Sequence, residues 1–320
     1  MSVSEFVPVF IGGCPRSGTT FLGDRLGALL GARVTPESQF KRGVLAALAD
    51  GDTARAVQVL DSHRVYRLWT ERPAREDLLA CTTAQSFFAK LVFPDGVPSD
   101  RAPFWVDHTP INFDDFVALR ATFPQARFVN LIRDGRAVYS SVRGLDWGPT
   151  SPIQAAHWWA ARVAPGLGAS LTFPANCTTC RYEELTGSDP AAWTRLVRFV
   201  TNDAERSVNA EELSAKSVFN LPDYTKHQHT LVGSPPIAAR AEAWRTALTP
   251  REIELFEAYA GGLLDTLGYC RAYRFPHFAS RGEMIRMGEW PVRITARLAS
   301  RLRNANRWRK VKAPQTETRS

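Results

Sequence analysis

No segment of the 320 residues approaches the roughly 18 uncharged apolar positions that a membrane-spanning helix requires, which argues against an integral membrane protein. Met1 to Phe6 lack the basic flank and apolar run of a secretory signal. Cysteine is scarce and odd in number: Cys14, Cys81, Cys177, Cys180 and Cys270 suit free thiols in a reducing compartment better than a disulfide framework. Cys177 and Cys180 have metal-like spacing but lack a second pair, and the Thr-Thr between them suits a strand, so no metal is expected. These absences together predict a soluble, cytoplasmic protein. Between Trp290 and Lys312 stand Arg293, Arg297, Arg301, Arg303, Arg307, Arg309, Lys310 and Lys312 with no Asp or Glu, and these eight equal the whole net charge of +8. The rest of the chain is formally neutral, which disfavours a nucleic-acid partner.

What is present reads as an enzyme-sized body with a core. Hydrophobic residues make up 44% of the chain and nine tryptophans are among them, enough for one large domain. Val7 to Gly12, Phe104 to Asp107, Arg127 to Ile132 and Asn176 to Arg181 read as short strands. Helical patterns lie at Thr19 to Leu30, Phe113 to Thr122, Asp134 to Val142, Ile153 to Leu167, Ala238 to Ala247 and Pro250 to Leu267. Strands alternating with helices predict an α/β fold, a mostly parallel sheet flanked by helices. Residues 206–236 are polar and irregular, as lids and binding loops are. The expected division is a catalytic domain over 1–280 and a basic, helical extension over 281–320. In that extension Ile294, Leu298 and Leu302 recur at helical spacing, each preceded by arginine. Such a helix either packs on the body or makes a peripheral contact with an anionic membrane.

Gly13-Cys14-Pro15-Arg16-Ser17-Gly18-Thr19-Thr20, between the first strand and first helix, has the length of a phosphate-binding P-loop. A loop of this kind turns successive backbone N–H groups inward, and the helix N-terminus adds its positive dipole end. The bland alternative is a glycine turn. A nucleotide triphosphatase needs Lys where Thr19 stands, and no strand offers an obvious Mg²⁺-binding acid, so a P-loop kinase is disfavoured.

Pro15-Arg16-Ser17-Gly18-Thr19-Thr20 resembles the 5′-phosphosulfate loop of sulfotransferases that use 3′-phosphoadenosine 5′-phosphosulfate (PAPS). Its arginine form is similar to that of the tyrosylprotein sulfotransferases and their bacterial relatives. The segment Phe128 to Ser141 resembles the family's 3′-phosphate segment, which implies that Arg133 and Ser141 hold that phosphate. An arginine fork and a hydroxyl two helical turns on can grip one phosphate from the same face. The likeness continues through Arg181 to Leu185 and Trp244 to Pro250, and so covers about Val7 to Tyr269. It implies that Tyr182 touches the nucleotide. Relatives place a basic residue just before the tryptophan; here Ala243 stands there, with Arg240 one turn earlier as the stand-in. The family's basic residue beyond Ser141 has no equal, Arg143 being nearest.

Sulfuryl transfer needs an in-line attack, a base for the acceptor proton and cations for the charge on the leaving phosphate, with no metal. Glu37 follows the loop at the distance of the general-base glutamate of the tyrosylprotein enzymes, which implies that role. His108 stands where those enzymes carry a lysine. It is either an imidazolium donor or itself the base. Arg16 is expected to balance charge on the leaving phosphate. Lys226, His227 and His229 fall in the irregular segment that in relatives closes over the nucleotide. The resemblance leaves small-molecule, carbohydrate, lipid and peptide acceptors open. A nucleotide-binding protein of the same fold without turnover is the rival reading.

Overall fold

The computed structural model describes residues 6–98, 103–187, 189–214, 239–289, 301–306 and 309, the side chains of 239 and 240 excepted. Five strands, β1 (Val7–Gly13), β2 (Arg33–Thr35), β3 (Phe104–Asp107), β4 (Arg127–Ile132) and β5 (Cys177–Arg181), form one sheet. Their order is β2-β3-β1-β4-β5 and every pairing is parallel. Parallel neighbours need crossovers, which the helices supply: α1 (Thr19–Leu30), α2 (Lys41–Ala49), α3 (Thr53–Ser62), α4 (Arg75–Leu79), α5 (Ala84–Val92), α6 (Phe116–Thr122), α7 (Gly135–Val142), α8 (Pro152–Thr172), α9 (Tyr182–Leu185) and α10 (Ala191–Thr201).

Side chains along a strand alternate between faces, and the core divides accordingly. Val9, Ile11, Val106, Val129 and Leu131 pack with Leu22 and Leu26 of α1 and Trp193 and Leu196 of α10. Phe10, Trp105 and Phe128 turn the other way and join Phe88, Phe113, Phe116 and Phe123. Several of the rings meet edge to face, as at Phe10 and Trp105, with centroids 5.4 Å apart. Both faces are covered, which explains why these strands read as continuous apolar runs rather than alternating ones. Cys177 and Cys180 fall on opposite faces of β5, in different clusters, and all five cysteines are free. Among the described residues no group of three or more His, Cys, Asp or Glu is placed to hold a metal, and no helix is long and apolar enough to cross a membrane.

Several expected boundaries move for local reasons. The helix expected over Phe113 to Thr122 begins only at Phe116, because the chain first makes 3-10 turns over Pro110–Asp115. There Asn112 crosses the strand ends, its amide donating to the carbonyls of Ile11 (2.9 Å) and Asp107 (3.1 Å). The helix expected to stop at Leu167 runs to Thr172, through Pro165. The one expected over Ala238 to Ala247 is two short pieces, Ala239–Glu242 and Trp244–Ala247, separated at Ala243 as Trp244 turns into the core. Edge strand β2 escaped the sequence reading, being three residues long and led by an arginine. Residues Arg281–Arg286 form a helix, and Glu289 beyond it is buried, accepting from Ser151 and from the N–H of Gln154. Of the basic tail, residues 301–306 are helical and exposed or partly so.

Candidate active site

In a parallel sheet the strand order reverses where two strands leave the centre in opposite directions, and the crevice at their carboxyl ends collects ligand-binding loops. Here β1 is that centre, between β3 and β4. Each of the five strands ends next to one residue singled out by sequence. β1 runs into the Cys14-to-Gly18 loop, β2 leads to Glu37, and His108, Arg133 and Tyr182 directly follow β3, β4 and β5.

The loop is shaped by its backbone. Ser17 donates its N–H to the Cys14 carbonyl (3.0 Å), and Arg16 and Gly18 adopt left-handed conformations with φ of 76° and 100°. Such a conformation is costly for arginine, and positions of this kind gather where function requires them. At Gly18 a side chain is doubly excluded, since a Cβ would lie 2.7 Å from the Tyr182 ring. No side chain caps the start of α1, so its first N–H groups remain available to an anion. Thr19 and Thr20 open the helix, both buried. Burial pushes the Cys14 thiol well above its ordinary range, which makes it an inert part of the loop.

Arg133 donates to the Arg16 carbonyl (3.1 Å), and its guanidinium lies over the Tyr182 ring at 4.5 Å. Its own carbonyl accepts from the Trp159 indole (3.1 Å). Ser141 lies at the far end of α7 and accepts from Arg16 Nε (3.1 Å). The two expected phosphate-binding segments are therefore interlocked, with Arg16 joining them. Arg143, by contrast, is committed to Glu252 (2.9 and 3.0 Å) and the Ala247 carbonyl. For Arg240 only the backbone is described, in the Ala239–Glu242 helix. Lys226, His227 and His229 lie outside the described residues.

Glu37 is partly buried and accepts a hydrogen bond from Gln39 (2.8 Å). Its carboxyl is raised above the ordinary glutamate range, chiefly by burial; the Gln39 bond opposes this, the Asp107 charge adds to it and Lys41 pulls the other way. His108 is only 2% exposed, packed against α1 where Gly23 makes room: a Cβ there would come 2.8 Å from the His108 Cβ. Burial lowers the imidazole to about 4, outweighing the nearby carboxylates of Asp107 and Asp24. The ring is thus neutral at pH 7.

Sequence reasoning missed the cluster beneath Glu37. Lys41 bonds to Asp107 Oδ2 (2.8 Å) and Ser38 Oγ (2.5 Å), deep in the protein. Burial would raise Asp107, but the Lys41 charge and the bonds from Lys41, Ser38 and Thr109 outweigh it and hold the carboxyl at about 2. One signal was available: Lys41 shares a helix stripe with buried Val44 and Leu45, an unusual place for a lysine.

Comparison with known proteins identifies the family. A family model described as "Sulfotransferase family" matches residues 8–204. The chain is 26% identical over 272 residues to protein-tyrosine sulfotransferase 1 of Danio rerio, covering 82% of this chain and 72% of that one. With protein-tyrosine sulfotransferase A of Caenorhabditis elegans it shares 28% over 285 residues, 87% of this chain and 71% of the relative. Among solved structures, the sulfotransferase domain of the Synechococcus PCC 7002 olefin synthase has the same fold, with a TM-score of 0.55 at 18% identity over 84% of this chain and 98% of that one. With the family match over residues 8–204 and a parallel sheet of this order, the chain belongs to the sulfotransferase family, in a branch related to the tyrosylprotein enzymes.

Proposed function

We propose that the chain transfers the sulfuryl group of PAPS to an acceptor hydroxyl or amine by in-line displacement and releases 3′,5′-adenosine bisphosphate. The observation that carries this reading is the interlock of the Cys14-to-Gly18 loop with Arg133 and Ser141 through Arg16. The residues fit a doubly phosphorylated nucleotide. Ser17 Oγ is buried with no hydrogen-bond partner among the described residues, the start of α1 is uncapped, and two guanidinium groups converge on one crevice. Bound PAPS supplies a sulfuryl group on a phosphate leaving group.

Glu37 takes the acceptor proton as the new O–S or N–S bond forms and the bond from sulfur to the phosphate oxygen breaks. Its raised carboxyl makes it a stronger base than a solvated glutamate. Arg16 balances the charge that develops on the leaving phosphate, and neutral His108 donates or accepts a hydrogen bond without adding a charge. Arg133 and Ser141 hold the 3′-phosphate, and Tyr182 and Arg240 are assigned to the nucleotide beside them. The relatives' names make a tyrosine peptide the first acceptor to try, before phenols, sugars and lipids. Unpaired thiols throughout suit a cytoplasmic setting.

Nucleotide binding tests the reading without an acceptor. 3′,5′-Adenosine bisphosphate is expected to raise the melting temperature clearly more than 5′-AMP, because each charge-assisted grip on the 3′-phosphate contributes about 1.5–3 kcal/mol. Equal shifts would remove the 3′-phosphate site. Binding without sulfuryl transfer from labelled PAPS to any of those acceptors would favour the non-catalytic rival.

The tail has its own reading, a salt-sensitive contact with anionic membrane. Its support is the eight uncompensated cations and, in the described part, a helix whose Leu302 is 66% exposed. Each cation near an anionic surface contributes up to about 1 kcal/mol. Co-sedimentation with phosphatidylserine vesicles should therefore be strong at low salt for the full chain and weak for a chain ending at Gly288. Like behaviour of the two forms ends the membrane reading.

A further inference from the structure

One charged residue at the crevice takes no part in the transfer itself. The side chain of Lys41 is 2% exposed and its partner Asp107 0%. Lys41 Nζ donates to Asp107 Oδ2 (2.8 Å), Ser38 Oγ (2.5 Å) and, at 3.4 Å, Thr109 Oγ1. Three acceptors match the three hydrogens of an ammonium. Asp107 also accepts from the Ser38 hydroxyl, from the Thr109 N–H (2.9 Å) and from Asn112 Nδ2 (3.1 Å). Every strong acceptor site of the carboxylate is thereby used, and the ammonium is not free to follow a ligand without leaving Asp107 buried and unpaired.

The cage continues directly into the candidate base. Ser38 follows Glu37, and its N–H donates to Thr109 Oγ1 (2.8 Å) while its hydroxyl goes to Asp107. Lys41 lies four residues after Glu37 and grips the same carboxylate. The turn that carries Glu37 is thus fastened to the end of β3, by Ser38 and Lys41 after it and by the pairing of Thr35 with Asp107 before it. Glu37 feels the opposite charges of Asp107, from β3, and Lys41, from α2. His108 beside them carries no charge near neutral pH, so it does not disturb this balance.

We propose that Lys41 is a positioning residue for Glu37: by neutralising Asp107 it keeps one negative charge, not two, at this end of the crevice, and through Ser38 it holds the turn in place. The proposal rests on Glu37 being the acceptor base, but its ionisation is measurable without turnover. The physical expectation has a sign. With Lys41 replaced by methionine, the Asp107 charge that acts on Glu37 is no longer offset, and the upper ionisation of the pair rises. With Asp107 replaced by asparagine, the remaining oxygen keeps two of the four donors and the amide NH2 faces the other two, the ammonium loses its counter-charge, and Glu37 ionises more readily.

The test is a titration of the intact protein labelled with ¹³C at the glutamate carboxyls, with the Glu37 resonance assigned by its loss in Glu37→Gln. Lys41→Met is expected to move the Glu37 midpoint up by about one pH unit or more, and Asp107→Asn to move it down. The double variant Lys41→Met/Asp107→Asn, which leaves no buried charge, should return it to within about half a unit of the wild type. Lys41→Arg, which keeps the charge, should move it little. Should Lys41→Met fail to fold, Asp107→Asn and the double variant still decide the sign. Midpoints that stay put in both folded single variants, or that move the same way, overturn the proposal. If the midpoints move as expected while Glu37→Gln keeps its turnover, the base assignment fails and the electrostatic coupling stands.

Discussion

Glu37→Gln is expected to lower turnover by on the order of 10²–10⁴-fold with nucleotide affinity nearly unchanged, because a general base acts only as the acceptor proton leaves. Glutamine keeps the size of the side chain and can still meet Gln39, so the loss reports the missing base and not a collapsed turn. The pH dependence adds a second check. A base works only when deprotonated, and Glu37 is raised by burial. The acid limb of kcat/KM should therefore lie above the ordinary glutamate value of about 4.3 and disappear in the variant. The measurement is steady-state transfer from labelled PAPS to the best acceptor found, with the adenosine bisphosphate dissociation constant determined alongside. His108→Ala separates the two candidates for the base. Packed at 2% exposure against Gly23 and neutral down to about pH 4, His108 should give a smaller loss when replaced. Near-normal turnover in Glu37→Gln with abolished turnover in His108→Ala would transfer the role to the histidine.

Much of this arrangement was legible because it is local. The loop, its helix and the segment from Phe128 to Ser141 are contiguous, and their hydrogen-bonding logic follows from spacing. Strands β3 and β4 were readable to the residue, since a buried parallel strand is a short apolar run between turns. What stayed hidden depends on partners distant in sequence. β2 has no signal of its own and exists because Val34 pairs with Val106. Ser141 was expected beside Arg133, two turns away on one helix face, yet its hydroxyl meets Arg16, which only the sheet brings near. Lys41 and Asp107 are 66 residues apart and Arg136 and Glu257 are 121 apart, so neither buried pair could be read from spacing.

The pair at Arg136 carries the larger effect on folding. Its side chain is 1% exposed and bonds to Asp134 through Nε (3.0 Å) and Nη2 (2.7 Å), to Glu257 (2.5 Å) and to the Cys270 carbonyl (3.0 Å). Trp244 covers its face at 3.9 Å. Glu257 in turn accepts the N–H groups of Ala272 (2.9 Å) and Tyr273 (2.8 Å), so this one guanidinium ties the chain after the Pro250–Thr266 helix to the start of α7. Arg136→Met leaves two buried carboxylates without their cation, and breaking such a pair typically costs about 3–5 kcal/mol. Urea unfolding should register that loss directly. Arg133 and Ser141 flank the two ends of α7, so affinity for adenosine bisphosphate should fall as well, although Arg136 itself touches no ligand in this reading. Arg136→Lys should recover only part, since an ammonium cannot make the fork to Asp134 and reach Glu257 together. Neutralising all three residues as Asp134→Asn/Arg136→Met/Glu257→Gln should restore most of the stability, because the large cost is the unpaired buried charge and not the missing bond. A loss below about 1 kcal/mol in Arg136→Met would mean that water reaches the carboxylates and that the network is not what seats α7.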